Sequence, residues 1–150
     1  MNTKPENSYT KIGPIRVLSI SPVPDDHISL QSIFRHSAWE LLTADGLFPA
    51  INLLRDRDIS VVLCERNLTY GSWTDVLGHI QATPHRPVLI LTSRLADDHL
   101  WAEALNLGAH DVLAKPYQPN EVVRSIKLAW DHWHEMRQMT ARSIRLAAAS

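Results

Sequence analysis

The chain is poor in the residues that would tie it to special chemistries. It has a single cysteine, Cys64, which excludes an internal disulfide and any multi-cysteine metal site. That cysteine stands in an apolar run, so a buried, inert thiol is expected. Glycines stand only at 13, 46, 71, 78 and 108, so no G-x-G-x-x-G motif and no phosphate-cradling loop is present. No apolar run is long enough to span a bilayer. The opening stretch, Met1 to Pro14, lacks the apolar centre of a secretory signal. Fifteen Lys and Arg against sixteen Asp and Glu leave a formal charge of −1, so no charge excess points to nucleic acid or a membrane surface. The eight histidines are scattered, and His132 and His134, two apart on a helical pattern, do not face each other. No metal site, Ser-His-Asp set or Cys-His set can be defended from such spacing. The chain is therefore expected to be a cytoplasmic protein, not an enzyme, with no nucleic-acid or membrane partner.

What is present is an alternation of short apolar runs with amphipathic stretches of helical length. Ile15–Ile20, Trp39–Thr43, Ser60–Glu65, Pro87–Leu91 and Asp111–Leu113 read as strands, with Ser60–Glu65 central because it is the most apolar. Between them, helices are expected from Asp25 to about His36, over Gly46–Arg55, over Trp73–Gln81 and over Leu95–Leu107. Ile28, Leu30, Ile33 and Phe34 should form the inward face of the first. Pro49 is tolerable only in the first turn of the second. Gly71 is assigned to a turn between Asn67 and Ser72, and Gly108 to the left-handed cap of the fourth helix. A last helix runs from Pro119, as far as about Ala148. Strands alternating with helices predict an α/β fold: a doubly wound, five-stranded parallel sheet with helices on both faces. Right-handed crossovers place the functional surface at the carboxyl ends of the strands. Residues 1–14 are read as a lead, 15–130 as the domain and 131–150 as an extension of the last helix or a tail.

Those strand ends carry Ser21 and Pro22, then Glu65, then Thr92 and Ser93, then Lys115 and Pro116. The order Leu91-Thr92-Ser93, later Gly108-Ala109, and finally Lys115-Pro116-Tyr117 resembles the receiver domains of two-component response regulators, over about Arg16 to Trp130. The resemblance implies a flavodoxin-like receiver fold and phosphorelay signal transduction. It also implies three carboxylates at one end of the sheet: two adjacent acids that help hold Mg²⁺, and an aspartate that accepts the phosphoryl group. Thr92 and Lys115 match the hydroxyl and lysine that stabilise the added phosphate. Ser21 and Pro22 stand where the acidic pair would be, Glu65 where the acceptor would be, and Val112 where the switch aromatic would be.

The expectation is thus an atypical, stand-alone pseudo-receiver acting through protein–protein contacts, with Mg²⁺ binding weak or absent and no other cofactor. Glu65 either mimics the phosphorylated state, reaching about 1.5 Å farther than aspartate, or salt-bridges Lys115 as a structural tie. Val112, stiff at its first torsion, argues for a fixed conformation. Asp25 and Asp26 are read as first-turn acids favoured by the helix dipole, rather than as a displaced acidic pair. Partners would be a histidine kinase or a downstream signalling protein, met through Leu100, Trp101 and Tyr117. Trp133, with Met136 and Ile144, would offer a second surface, possible for homodimerisation through the last helix. Two other readings stay open: a receiver that still accepts a phosphoryl group, and a small-ligand domain using the strand-end crevice.

Overall fold

Strong β-branched runs and helix-length amphipathic stretches resolve into a parallel sheet wrapped on both faces in the computed structural model, which describes residues 15–149. The expected lead, 1–14, lies outside the described residues, as does Ser150. The strands are β1 (Arg16–Ile20), β2 (Glu40–Ala44), β3 (Val61–Glu65), the short hairpin strands β4 (Asn67–Leu68) and β5 (Gly71–Ser72), β6 (Val88–Ser93) and β7 (Asp111–Ala114). The helices are α1 (Pro24–Phe34), α2 (Leu47–Asp56), α3 (Trp73–Ala82), α4 (Asp98–Leu107) and α5 (Pro119–Ala149). The main sheet has the order β2-β1-β3-β6-β7 with every pairing parallel.

Period-two alternation on β3 builds both sides of the core. Val62 and Cys64 face the cluster under α2, α3 and α4, whereas Val61 and Leu63 face the cluster under α1 and α5. Because both faces are covered, β3 reads as an unbroken apolar run. Its first four residues are at most 1% exposed. Pro49 falls in the first turn of α2, where its missing N–H costs no helical bond. Asp97 caps α4, its carboxylate accepting from the Leu100 N–H at 2.9 Å, so this helix begins later than Leu95. Gly108 ends α4 with φ +121°, a conformation that glycine adopts without steric cost.

Two expectations are corrected by the geometry. Ile28 is 58% exposed, because the buried stripe of α1 runs Asp26, Leu30, Phe34 at four-residue spacing. Trp39 precedes β2 and packs edge-on against Phe34, ring centroids 5.5 Å apart. In the expected turn between Asn67 and Ser72, Tyr70 takes the left-handed position, with φ +66°.

Candidate functional site

Parallel register brings the functional side chains to one end of the sheet. Glu65 ends β3 directly beside Thr92 of β6, and Ser93 pairs with Ala114, one residue before Lys115. The Lys115–Pro116 peptide is cis. Ser21 follows β1 and is tied to the neighbouring strand by its N–H, which donates to the Ala44 carbonyl at 3.0 Å.

Lys115 is the centre of the cluster. Its ammonium donates to Glu65 Oε1 at 2.6 Å and to Asp26 Oδ2. The Lys115 side chain is 3% exposed, against 6% for Asp26 and 18% for Glu65. Asp26 Oδ2 also accepts from the Ser21 hydroxyl at 2.6 Å, and that hydroxyl in turn accepts the Val23 N–H at 3.1 Å. Glu65 Oε2 accepts the Arg66 N–H at 2.7 Å. Such a buried cation is tolerable because it is paired twice, and the carboxylates because each gains a second donor.

Asp26 is therefore the site residue that the sequence reading passed over. Asp25, one position earlier in the same first turn, is exposed, whereas Asp26 is buried and bound to Lys115. The signal was available: Asp26 lies four residues before Leu30 and eight before Phe34, an acid on the apolar stripe of its own helix. His27 holds this turn from the other side. It bonds Ser19 Oγ through Nδ1 and the Ser21 carbonyl through Nε2, both at 3.0 Å.

The remaining expected site residues are placed as follows. Thr92 is 1% exposed and stands within hydrogen-bonding reach of the Tyr117 phenol. Burial pushes that phenol up from its ordinary range; the contact with Thr92 opposes the rise and the charges of Asp26 and Glu65 add to it. Tyr117 is half-buried and packs against the core cluster under α1 and α5, rather than standing free as an anchor. Val112 is 5% exposed in the core. Pro22 is exposed and contributes no polar side-chain atom. Burial raises the Cys64 thiol above its usual range, with Glu65 adding to the rise, in keeping with an inert core thiol.

Two expected docking residues are corrected. Leu100 is 3% exposed, since it shares the inward face of α4 with Ala104; its neighbour Trp101, about 100° around the helix, is 43% exposed. Trp133 is 6% exposed: its indole donates to the His85 carbonyl at 3.0 Å, and the Arg137 guanidinium lies 4.7 Å over its ring. Met136 and Ile144 do stand out, at 49% and 64% exposure.

Comparison with known proteins decides the family. The model of the response regulator receiver domain matches residues 23–127. The chain belongs to the response regulator receiver domain family. It is a receiver domain of two-component signalling. Among curated relatives, it is 30% identical over 123 residues to the transcriptional regulatory protein CpxR of Klebsiella pneumoniae, covering 77% of this chain and 52% of that one. It is 31% identical over 117 residues to the transcriptional regulatory protein ZraR of Escherichia coli O157:H7, covering 75% and 26%. The chain thus spans about half the length of the first and a quarter of the second. Among solved structures, the signal receiver domain of an HD domain-containing protein from Pseudomonas fluorescens superposes with TM-score 0.75 at 24% identity, covering 83% of this chain and 93% of that one. A CheY-like receiver domain protein from Methanospirillum hungatei gives TM-score 0.72 at 18% identity, covering 83% and 99%. These likenesses show the fold. Among the described residues, no helix is long and apolar enough to cross a membrane.

Proposed function

We propose that this receiver is a signalling module, rather than an enzyme, whose strand-end site is held closed by its own lysine and works without a phosphorylation cycle. The observation that carries the reading is the double pairing of the Lys115 ammonium with Glu65 and Asp26. The family implies Mg²⁺, an ion that demands near-octahedral oxygen ligands and usually bridges carboxylates and phosphate. The donor set here fits it poorly. The two carboxylates converge on an ammonium, Ser21 and Pro22 supply no charged oxygen, and among the described residues no group of three or more His, Cys, Asp or Glu gathers there. The lysine supplies the positive charge that a divalent ion would bring.

In this reading Glu65, one methylene longer than aspartate, reaches Lys115 and holds it where a phosphoryl oxygen otherwise would. The single carboxylate charge is a partial substitute for the roughly −1.5 to −2 of a phosphoryl group. The chain then works by presenting one fixed surface to a protein partner, such as a histidine kinase or a downstream signalling protein. The exposed Trp101 is its candidate aromatic anchor.

Incubation of the protein with acetyl phosphate, followed by intact-mass measurement and peptide mapping, tests this. The expected spectrum shows no phosphoryl adduct. An adduct on Glu65 or Asp26 would establish a receiver that still accepts a phosphoryl group, and the closed-site reading would fall.

A further inference from the structure

At the opposite end of the sheet from Lys115, a half-open groove of about 1190 Å³ runs between the far part of α5 and the α3–β6 connection. One wall is the stretch of α5 from His132 to Ile144. At a rise of about 1.5 Å per residue this wall is about 18 Å long, or roughly three helical turns. The other wall is the end of α3 and the loop 83–87, and the floor includes the buried Leu77, Leu89, Ala109 and Trp133.

The permanently charged lining residues have one sign. Arg86 and Arg137 supply that charge, with the imidazoles of His85, His110 and His132 beside them, and among the described residues no Asp or Glu lines the groove. Asp58, outside the lining, lies 3.5 Å from His85 Nδ1 and 3.9 Å from Arg137, so Arg137 already has one carboxylate neighbour and Arg86 is the rim cation with none at ion-pair distance among the described residues. Arg86 is held on the rim by a left-handed backbone, φ +42°, its N–H donating to Thr83 Oγ1 at 3.2 Å. Backbone strain at an exposed arginine is of the kind that persists where the surrounding structure over-determines a position. Met136, half exposed on the α5 wall, has the adaptable side chain common at helix-binding grooves.

We propose that this groove docks an acidic amphipathic helix of a partner protein. An apolar floor beneath an α5 wall about three turns long matches the apolar stripe of a helix better than a compact small molecule. The basic rim selects carboxylates on the flanks of that stripe. The same charge disfavours a second copy of the far part of α5, which carries Arg137, Arg142 and Arg145 against Glu135 alone. The site is remote from the Lys115 cluster, so the proposal does not rest on the phosphorylation-free reading.

The test uses two fluorescein-labelled peptides of about four helical turns (roughly 14 residues) with the same leucine stripe, one flanked by glutamates and the other by lysines. Anisotropy should show the glutamate peptide binding at least tenfold more tightly. Amide NMR shifts should centre on Trp133, Met136 and the loop 83–87. Arg86→Glu, at an exposed position whose loss leaves the core intact, should cut that preference at least tenfold, and Arg137→Glu should do the same. Absence of glutamate-peptide binding, equal affinity for both peptides, or indifference to Arg86→Glu would each overturn the proposal. So would a dimer in sedimentation that Ile144→Asp dissolves, because the groove's occupant would then be a second copy.

Discussion

Replacing Lys115 by methionine should be among the most damaging single changes in this domain. The ammonium donates to one oxygen of Asp26 and one of Glu65, so those two oxygens lie within about 5 Å of each other across the nitrogen. Without the cation, two carboxylates face each other in a site where Asp26 is 6% and Glu65 18% exposed. At an effective dielectric constant near 20, that repulsion is about 3 kcal/mol. Lost charge-assisted hydrogen bonds add to it, and breaking a buried pair by removing one partner costs about 3–5 kcal/mol in total. With a urea slope of about 2 kcal/mol/M, the unfolding midpoint should fall by about 2 M. Asp26→Asn and Glu65→Gln, which leave Lys115 one partner each, should cost less, with Asp26→Asn the worse because Asp26 is more buried and also holds Ser21. The Lys115→Met variant should also gain a cation dependence that the parent lacks. Mg²⁺ at ten times its Kd would restore about 1.4 kcal/mol to the variant. A loss under about 1 kcal/mol, or equal stabilisation of both proteins by Mg²⁺, would refute the view that the lysine neutralises this site.

Other consequences follow from single contacts. Trp133→Phe removes the indole bond to the His85 carbonyl and should cost about 1 kcal/mol, with Trp133→Ala reaching about 3–5 kcal/mol by denaturant titration. His110 has its pKa lowered from 6.5, by burial first and then by the stacked His132, against the opposing charge of Asp111. The unfolded chain therefore protonates first on acidification. The stability due to a neutral His110 is present above about pH 6.5 and is lost as the pH falls towards the lowered value. His110→Gln should flatten the stability curve below pH 6.5, and an unchanged slope would refute this.

The sheet was legible because each strand is a β-branched or aliphatic run bounded by turn residues. Strand edges moved where a hydrogen bond outweighed composition. Pro87 reads as strand but has no N–H to give, and the first ladder bond here is that of Val88 to the Ser60 carbonyl, at 2.9 Å. Leu95 reads as helix but is set outside it by the Asp97 cap. Glu65, Thr92 and Lys115 were legible as a site because strand ends in such a sheet must converge. Asp26 was not, for a physical reason. An acid in a first helical turn has a sufficient local explanation in the helix dipole, and only the phase of the helix tells Asp26 from Asp25. Trp133 misled in the opposite sense. The loop 83–87 offers a carbonyl to its indole, and the ring is buried.

The most direct measurement is an amide NMR titration with Mg²⁺ and then beryllofluoride, a phosphoryl analogue. A site closed by Lys115 predicts no saturable shift at Glu65, Thr92 or Lys115. Saturable shifts there would mean that the missing acids have been compensated, and the domain would be a working phosphorylation switch.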